Sequence, residues 1–196
     1  GDQKEHGQKA PTSNRTLTGT GPETWTHDHT KTGVHDLCGN IWEVLAGLRI
    51  KNGVLMVAAN NDAALPETDL TQCGDDWKLL TDDKGAPVYV SASGSEIVFT
   101  TDNDEAGGVG SSEWGKVKTE CKSEMLKEYA LFAGEEEAYC YIDATEGEYI
   151  PVRGGGWDLG GSAGVFNLDL GYPRSISWAY GGGRSAFFKK KQKAER

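Results

Sequence analysis

The chain has 196 residues, a formal net charge of −10 and a mean hydropathy of −0.55. Its length suits one domain of roughly 100–200 residues. The acidic charge disfavours binding to the phosphate backbone of nucleic acids. No apolar run approaches the roughly 18–20 residues of a membrane helix, and no apolar segment typical of a signal peptide opens the sequence. We therefore expect a soluble domain without a signal peptide, a nucleic-acid partner or direct membrane insertion.

Both ends of the sequence differ in composition from the part between them. Residues 1–24 are rich in Gly, Thr, Pro, Gln and Lys, with Leu17 as their only large aliphatic residue. This composition predicts an irregular N-terminal arm. Residues 189–196 form a basic tail, for which a solvated terminus is favoured over a nucleic-acid or membrane patch. The domain itself is predicted to occupy residues 25–188.

Two hairpins are predicted in the first half of this domain. Asn40–Ala59 contains two apolar runs around Asn52-Gly53, a two-residue turn whose positions both tolerate positive φ. Val88–Thr100 alternates apolar and polar residues on either side of Ser93-Gly94-Ser95.

Between Ser111 and Gly134 the pattern becomes helical. Charged residues alternate with apolar ones that recur at spacings of three and four, namely Trp114, Val117, Cys121, Met125 and Tyr129. This periodicity predicts an amphipathic helix with a Ser cap nearby and Gly134 as its end.

The last part of the domain, Tyr139–Phe188, is rich in Gly and predicts short strands. In the stretch AGVFNLDL, period-two alternation puts one set of side chains on each face of a strand. The packed face is predicted to carry Phe166, Leu168 and Leu170. The outward face is predicted to carry Val165, Asn167 and Asp169. Together, the two hairpins, the amphipathic helix and the Gly-rich short strands predict an α+β fold with short antiparallel strands, one or two helices and extensive loops.

Motifs for metal, nucleotide or nucleophilic chemistry are weak. His27-Asp28-His29 and His35-Asp36 offer metal-binding residue types, but no further Cys or His completes a set at useful spacing, so polar loop residues are favoured. No phosphate-binding glycine loop and no nucleophile elbow is present. The cysteines match no zinc spacing. We expect free, partly buried thiols, with two disulfides as the alternative, at Cys38, Cys73, Cys121 and Cys140. The sequence thus predicts no catalytic residue, no metal and no cofactor.

The segment RGGGWDLGGSAGVFNLDLGYPRSISWAYGGGRSA, Arg153–Ala186, has an unusual composition. Its 34 residues include ten Gly but no Lys, Glu, Gln or Met, in a chain with 30 acidic residues. The segment still contains Gly, Ser, Asn, Asp and Tyr. Polarity alone does not explain this gap, because the segment retains other polar residues.

Two blocks carry a resemblance to a known fold. Gly33–Ile50, GVHDLCGNIWEVLAGLRI, resembles the G-x-x-D-x-x-G-N-x-W-E-[WV] block of the formylglycine-generating-enzyme type of C-type lectin fold. Arg153–Ala186 resembles the C-terminal R-G-G-x-W … R-[ST]-x-[ST] … G-x-R-[SC]-A block of the same superfamily. The order and spacing of the blocks match as well, whereas residues 60–140 match by no motif. The resemblance implies a C-type lectin fold.

The same resemblance bears on catalysis. Formylglycine-generating enzymes hold copper with Cys residues near the C-terminal block, but here Ser185 follows the Gly-x-Arg element and no Cys follows Cys140. The ergothioneine-synthesis relatives use a His-x₃-His-x-Glu iron motif that this sequence lacks. Because soft-metal and iron chemistry need such ligands, we do not expect an enzyme. An oxidoreductase of the formylglycine-generating type and a lectin of fixed specificity are the alternatives.

The second block is also similar to the variable proteins of diversity-generating retroelements, through the string AGVFxLxL…RSxS…GxRSA. In that group a reverse transcriptase copies a template and randomises its adenines, and the favoured codons keep C as their third base. Codons of the form NNC cannot encode Lys, Glu, Gln, Met or Trp. The resemblance therefore accounts for most of the compositional gap, and implies a hypervariable region over about residues 153–186.

The codon rule sorts the positions of this region. Trp157 and Trp178 cannot come from NNC codons, and three arginines match constant positions of the block. We therefore expect these five residues to form a fixed scaffold beneath the surface. The constant arginines are Arg153, Arg174 and Arg184. The predicted diversified, ligand-binding positions are Gly156, Asp158, Leu159, Gly161, Ser162, Asn167, Asp169, Gly171, Tyr172, Ile176, Ala179 and Tyr180.

The resemblance implies a hypervariable receptor-binding protein, located at a phage tail or on a bacterial cell surface. Its partner would be an unknown protein or glycan on a host or target cell. Such a surface suits binding, because Tyr offers a large rigid contact while Ser, Gly and Asn adapt, as in antibody paratopes. The oligomeric state is open between a trimer at a phage tip and a monomer in surface display.

Overall fold

The computed structural model describes residues 7–12, 14–131 and 137–184, and these residues form a mostly-sheet fold with little helix. The α-helix of this part of the chain, α1, spans only Glu124–Glu128. The strands are β1 (Trp42–Val44), β2 (Leu48–Lys51), β3 (Val54–Val57), β4 (Lys78–Leu79), β5 (Tyr89–Gly94), β6 (Glu96–Thr100), β7 (Gly107–Glu113), β8 (Lys118–Thr119), β9 (Tyr139–Asp143), β10 (Glu148–Arg153), β11 (Leu168–Pro173) and β12 (Gly181–Gly182).

The strands form one sheet in the order β4-β3-β2-β10-β11-β9-β7-β5-β6-β8. An additional pairing of Val54 in β3 with Tyr89 in β5 closes seven of these strands into a ring. Most pairs are antiparallel, but β9–β11, β5–β7, β6–β8 and β1–β12 are parallel. This architecture is compatible with the predicted α+β class.

Alternating burial explains how the ring is filled. In β5 and β6 the inward residues Val90, Ile97 and Phe99 are fully buried, while Ser91 and Val98 between them are partly exposed. Ile142 of β9 and Leu168 of β11 join the same hydrophobic cluster. This period-two pattern is what a pleated strand with one buried face requires.

Both predicted hairpins are confirmed. Asn52 and Gly53 connect β2 to β3 with φ values of 50° and 79°, as a turn with two positive φ positions requires. Gly94 and Ser95 connect β5 to β6, with Ser93 paired to Glu96. The first hairpin is shorter than predicted, because Trp42–Val44 forms the separate strand β1, which pairs with other strands.

The long helix predicted over 111–134 is wrong. Ser111–Glu113 continue β7 and pair with β9, for example Ser111 with Tyr141. Tertiary strand pairing therefore overrides the helical spacing of the apolar residues. The helical part is reduced to α1, where Ser123 Oγ accepts a hydrogen bond from the Leu126 amide at 3.4 Å as an N-cap. Gly134 lies outside the described residues.

The N-terminal segment is attached to the first sequence block. From residue 7 to residue 22 the described chain is turns and loops with one isolated bridge between Lys9 and Thr16, and a short 3-10 helix follows at Glu23–Trp25. The Thr16 amide donates to Asn40 Oδ1 at 2.9 Å, and Asn40 Nδ2 donates back to the Thr16 carbonyl at 2.9 Å. The domain start at residue 25 stays a prediction, and the basic tail 189–196 lies outside the described residues.

Two further features complete the described structure. Within 7–12, 14–131 and 137–184, no helix is both long and apolar enough to cross a membrane.

All four cysteines are free thiols: Cys38 and Cys73 are exposed, Cys121 is half-buried, and Cys140 is buried in β9. Burial raises the pKa of the Cys140 thiol to about 12, so this side chain packs as an uncharged residue.

Candidate ligand-binding site

The two sequence blocks lie side by side in the structure. Strand β1 of the first block pairs with both β10 and β12 of the second. The Gly39 amide donates to the Gly154 carbonyl at 2.8 Å, and the Trp42 amide donates to the Tyr180 carbonyl at 2.7 Å. Gly154 has a φ of +94°, and a Cβ there would lie 2.9 Å from the Leu37 carbonyl oxygen. The glycines at this junction allow a close backbone approach that larger residues would prevent.

Two of the predicted scaffold arginines each connect the second block to another segment of the chain. Arg184 Nε contacts both carboxylate oxygens of Glu43, at 3.0 and 3.1 Å, and its Nη2 donates to the His35 carbonyl at 2.9 Å. Arg153 donates to the carbonyls of Ala130 at 2.8 Å and Phe166 at 3.2 Å. Charge-assisted hydrogen bonds of this kind are strong and geometrically specific.

The third arginine, Arg174, belongs to a buried ion network. Its Nε and Nη2 donate to the two carboxylate oxygens of Glu148, at 2.9 and 3.0 Å. On the other side, Arg49 Nη1 donates to Glu148 at 2.8 Å, and the guanidinium of Arg49 lies 4.3 Å from the ring centre of Trp77. Burial alone would raise the pKa of Glu148, but the hydrogen bonds from the two arginines hold that pKa below its ordinary value.

A pocket of about 370 Å³ opens between loop 158–162, strand β11 and the segment 178–180. Its remaining walls come from β1 and β9. The lining residues are Trp42, Tyr139, Asp158, Leu159, Ser162, Asp169, Tyr172, Trp178 and Tyr180. Six of the twelve positions predicted to bind a ligand are in this set. They are Asp158, Leu159, Ser162, Asp169, Tyr172 and Tyr180.

Aromatic contacts shape the pocket walls. The rings of Tyr172 and Trp178 have centroids 3.9 Å apart with planes tilted by 41°. Tyr180 stacks on Trp157 with centroids 5.2 Å apart and planes 11° apart. The expectation that both tryptophans lie beneath the surface is therefore wrong for Trp178, which lines the pocket, and Trp157 is only half-buried against Tyr180.

Asp169 is the most buried acid of the pocket. Its side chain accepts a hydrogen bond from the Gly171 amide at 3.0 Å, and the residue is 8% exposed. Burial raises the pKa of its carboxyl group to about 6, and the single backbone hydrogen bond only partly opposes this effect. Burial, followed by the charge of Asp169, raises the pKa of the neighbouring Tyr172 to about 12.

Val165 is exposed, and Leu168 and Leu170 are buried, as the alternation of the AGVFNLDL stretch predicts. The same prediction is wrong for Phe166, Asn167 and Asp169. Asn167 is 1% exposed, and Phe166, predicted to pack, is 49% exposed. The chain turns before β11, with the Asn167 amide bound to the Gly164 carbonyl, so the alternation does not run through the stretch. Leu168, Asp169 and Leu170 are all buried, so both faces of this first half of β11 are covered.

Asn167 has a structural role in this arrangement. Its Nδ2 donates to the Ser162 carbonyl at 2.7 Å, and its Oδ1 accepts from the Tyr139 amide at 3.0 Å. The side chain therefore links loop 158–162 to β9 and fixes the positions of two pocket-lining residues.

The other predicted binding positions are spread around the pocket. Ile176 and Ala179 are exposed, and Gly161 faces open space. A Cβ on Gly156 would lie 2.7 Å from Asp158 Oδ1, and one on Gly171 would lie 2.3 Å from the Tyr141 ring. Side chains at these two glycines would therefore need neighbours to move. Sequence reasoning missed Trp42 and Tyr139 as lining residues; Trp42 belongs to the first block, but no signal pointed to Tyr139.

The histidine-rich stretch takes part in local loop contacts. His27 Nδ1 accepts from the Val34 amide at 2.9 Å, and Asp28 accepts from the amide and hydroxyl of Thr30. Across the described ranges, no group of three His, Cys, Asp or Glu side chains is arranged to hold a metal ion.

Comparison with protein-family models finds no matching family, and comparison with curated proteins finds no matching relative.

Proposed function

We propose that this chain is a hypervariable ligand-binding protein with a C-type lectin fold of the formylglycine-generating-enzyme type, diversified by a retroelement. Its binding site is the aromatic pocket. The observation that carries this proposal is that six of the twelve positions implied by the resemblance line one concave site. Concave sites lined by aromatic residues and a few polar groups are typical of ligand binding.

The division of roles within the second block supports the proposal. Arg153 donates to backbone carbonyls. Arg174 donates to the buried carboxylate of Glu148, and Arg184 donates to the half-buried carboxylate of Glu43, in a forked geometry that suits a guanidinium. The pocket positions instead include exposed side chains such as Asp158 and Tyr180. Exposed substitutions usually change stability by less than about 0.5 kcal/mol. A protein built in this way can exchange its binding residues while its scaffold persists.

The role we assign is recognition and not catalysis. The partner is a protein or glycan on a host or target cell, and the chain acts at a phage tail or on a bacterial surface. This assignment is supported by the two block resemblances and by the absence, from the C-terminal block, of the cysteines that hold copper in the related enzymes.

The gene neighbourhood tests the proposal directly. We expect a near-copy of the segment that encodes 153–186 beside a reverse-transcriptase gene, with differences confined to template adenines. Sequenced isolates should differ at codons such as those of Asp158, Leu159 and Tyr180, but not at Arg174 or Trp178. Differences spread over all bases and all positions would refute diversification by a retroelement.

A further inference from the structure

We infer that the pocket binds an organic cation, specifically a methylated ammonium group, through its aromatic rings and two carboxylates. The inference rests on the proposed function, because it names the ligand class of the same pocket. It depends on the charge, the wall chemistry and the size of that pocket.

The charge of the pocket is negative. Asp158 and Asp169 are the ionisable acids of its lining, and the described lining residues include no Lys, Arg or His. The neighbouring arginines are already engaged elsewhere: Arg153 with backbone carbonyls, Arg174 with Glu148, and Arg184 with Glu43. An anionic ligand would therefore meet two carboxylates and no free guanidinium, whereas a cation would be attracted.

The walls favour a methylated cation over a metal ion. Five of the nine lining residues are aromatic. The tilted pair of Tyr172 and Trp178 forms part of this aromatic wall. Ring faces attract ammonium groups through their quadrupole, and recognition of quaternary ammonium by aromatic cages uses this effect. Asp169 already accepts the Gly171 amide, which reduces its capacity to donate the multiple oxygen ligands that a hard metal ion needs.

The size of the pocket fits a small organic group. Its volume of about 370 Å³ lies within the range of roughly 300–1,000 Å³ that small-molecule sites occupy. Exposed Asp158 and Tyr180 stand at the opening, while Asp169 lies at the base of the pocket, on β11. A trimethylammonium group can therefore enter with its charge directed at Asp169 and the rest of the ligand directed outward.

The surroundings of Asp169 link cation binding to a proton. Tyr139, Cys140 and Tyr141 on β9, Tyr172 on its own strand and Asp158 in the loop are all neutral or acidic groups. On β10, Val152 lies opposite Asp169, and the guanidinium of the adjacent Arg153 is directed to carbonyls. A bound cation should therefore stabilise the ionised carboxylate, and affinity should fall as the pH drops below about 6.

The test uses choline and its neutral isostere 3,3-dimethyl-1-butanol, titrated into the purified protein at pH 7.5. Binding is followed by tryptophan fluorescence, since Trp42 and Trp178 line the pocket. We expect choline to bind at least about tenfold more tightly than the alcohol. Affinity for choline should fall as the pH drops from 7 to 5, while that for the alcohol should not. Phosphocholine and a trimethyl-lysine peptide, used as further probes, distinguish a headgroup source from a modified side chain.

Three variants complete the experiment. Asp169→Asn should weaken choline binding about tenfold and remove its pH dependence. Asp158→Asn should weaken it by a smaller factor, and because Asp158 is exposed this variant guards against misfolding. Asp104→Asn, in an exposed loop, is the matched control and should change nothing.

The outcomes separate this inference from the proposed function. Equal affinity for choline and the alcohol, or failure of choline to bind at all, would overturn the cation assignment. Neither result would affect the gene-neighbourhood test, because that test examines diversification of the gene and does not depend on which ligand binds.

Discussion

Asn167 offers the sharpest test of how scaffold and variable positions divide. Replacing Asn167 by Ala removes two hydrogen bonds at once, one from Nδ2 to the Ser162 carbonyl and one from the Tyr139 amide to Oδ1. The Tyr139 amide is left without its partner, and a buried polar group without a partner costs about 1–3 kcal/mol. The small cavity left by the amide adds to this. We expect a total loss of about 2–4 kcal/mol in the free energy of unfolding.

The assay is urea unfolding followed by tryptophan fluorescence, with Asn103→Ala as the control. Asn103 is exposed, so its replacement should change the free energy of unfolding by less than about 0.5 kcal/mol. Asn167→Ala should also disturb the pocket, because Ser162 and Tyr139 both line it. Equal stability of the two variants would refute the structural role of Asn167 and restore it as a candidate for free diversification.

The Glu148 ion network, the backbone at Gly154 and the Asp169 carboxyl group should each contribute measurably to stability. Glu148→Ala leaves the buried Arg49 without its carboxylate and should reduce the free energy of unfolding by about 3–5 kcal/mol. Glu146 is exposed, so Glu146→Ala is the control and should leave the free energy of unfolding nearly unchanged. A loss below about 1 kcal/mol for Glu148→Ala would argue against a stabilising role of the ion network. Gly154→Ala should reduce the free energy of unfolding by about 1–3 kcal/mol, because residue 154 has a positive φ and a Cβ there would meet the Leu37 carbonyl. Gly161→Ala should leave the stability unchanged, and thermal melts of both variants check the difference. For Asp169, the folded-state pKa of about 6 lies above the ordinary 3.8, so the unfolded chain loses this proton first and stability falls as the pH rises from 4 to 6. Asp169→Asn should therefore be more stable than the parent protein at pH 7, by at most about 3 kcal/mol, and this advantage should vanish near pH 4 in urea titrations.

Local signals in the sequence predicted the structure well where few residues decide the conformation. Asn52-Gly53 specifies its hairpin because both positions must take positive φ, and no distant contact is needed. The resemblance of the segment implies Asp158, Leu159 and Tyr180 as binding positions, and these residues line one pocket that the sequence did not predict.

Features that depend on distant partners could not be predicted in this way. Ser111–Glu113 sit in a helical pattern but pair with β9, a choice that only the tertiary structure reveals. Asn167 and Asp169 alternate with apolar residues, which predicts exposure, but Asn167 is bound to loop 158–162 and β9, and Asp169 is buried in the first half of β11. Tyr139 reaches the pocket only because β9 is the parallel neighbour of β11.

The origin of the pocket walls has a consequence for inheritance. Trp42 and Tyr139 lie outside the segment 153–186, and they line the pocket together with residues from inside it. A gene rewritten only within that segment passes both rings unchanged to every descendant. Under the proposed function, every variant would therefore keep these two aromatic contacts for a ligand, and diversification would add selectivity to them.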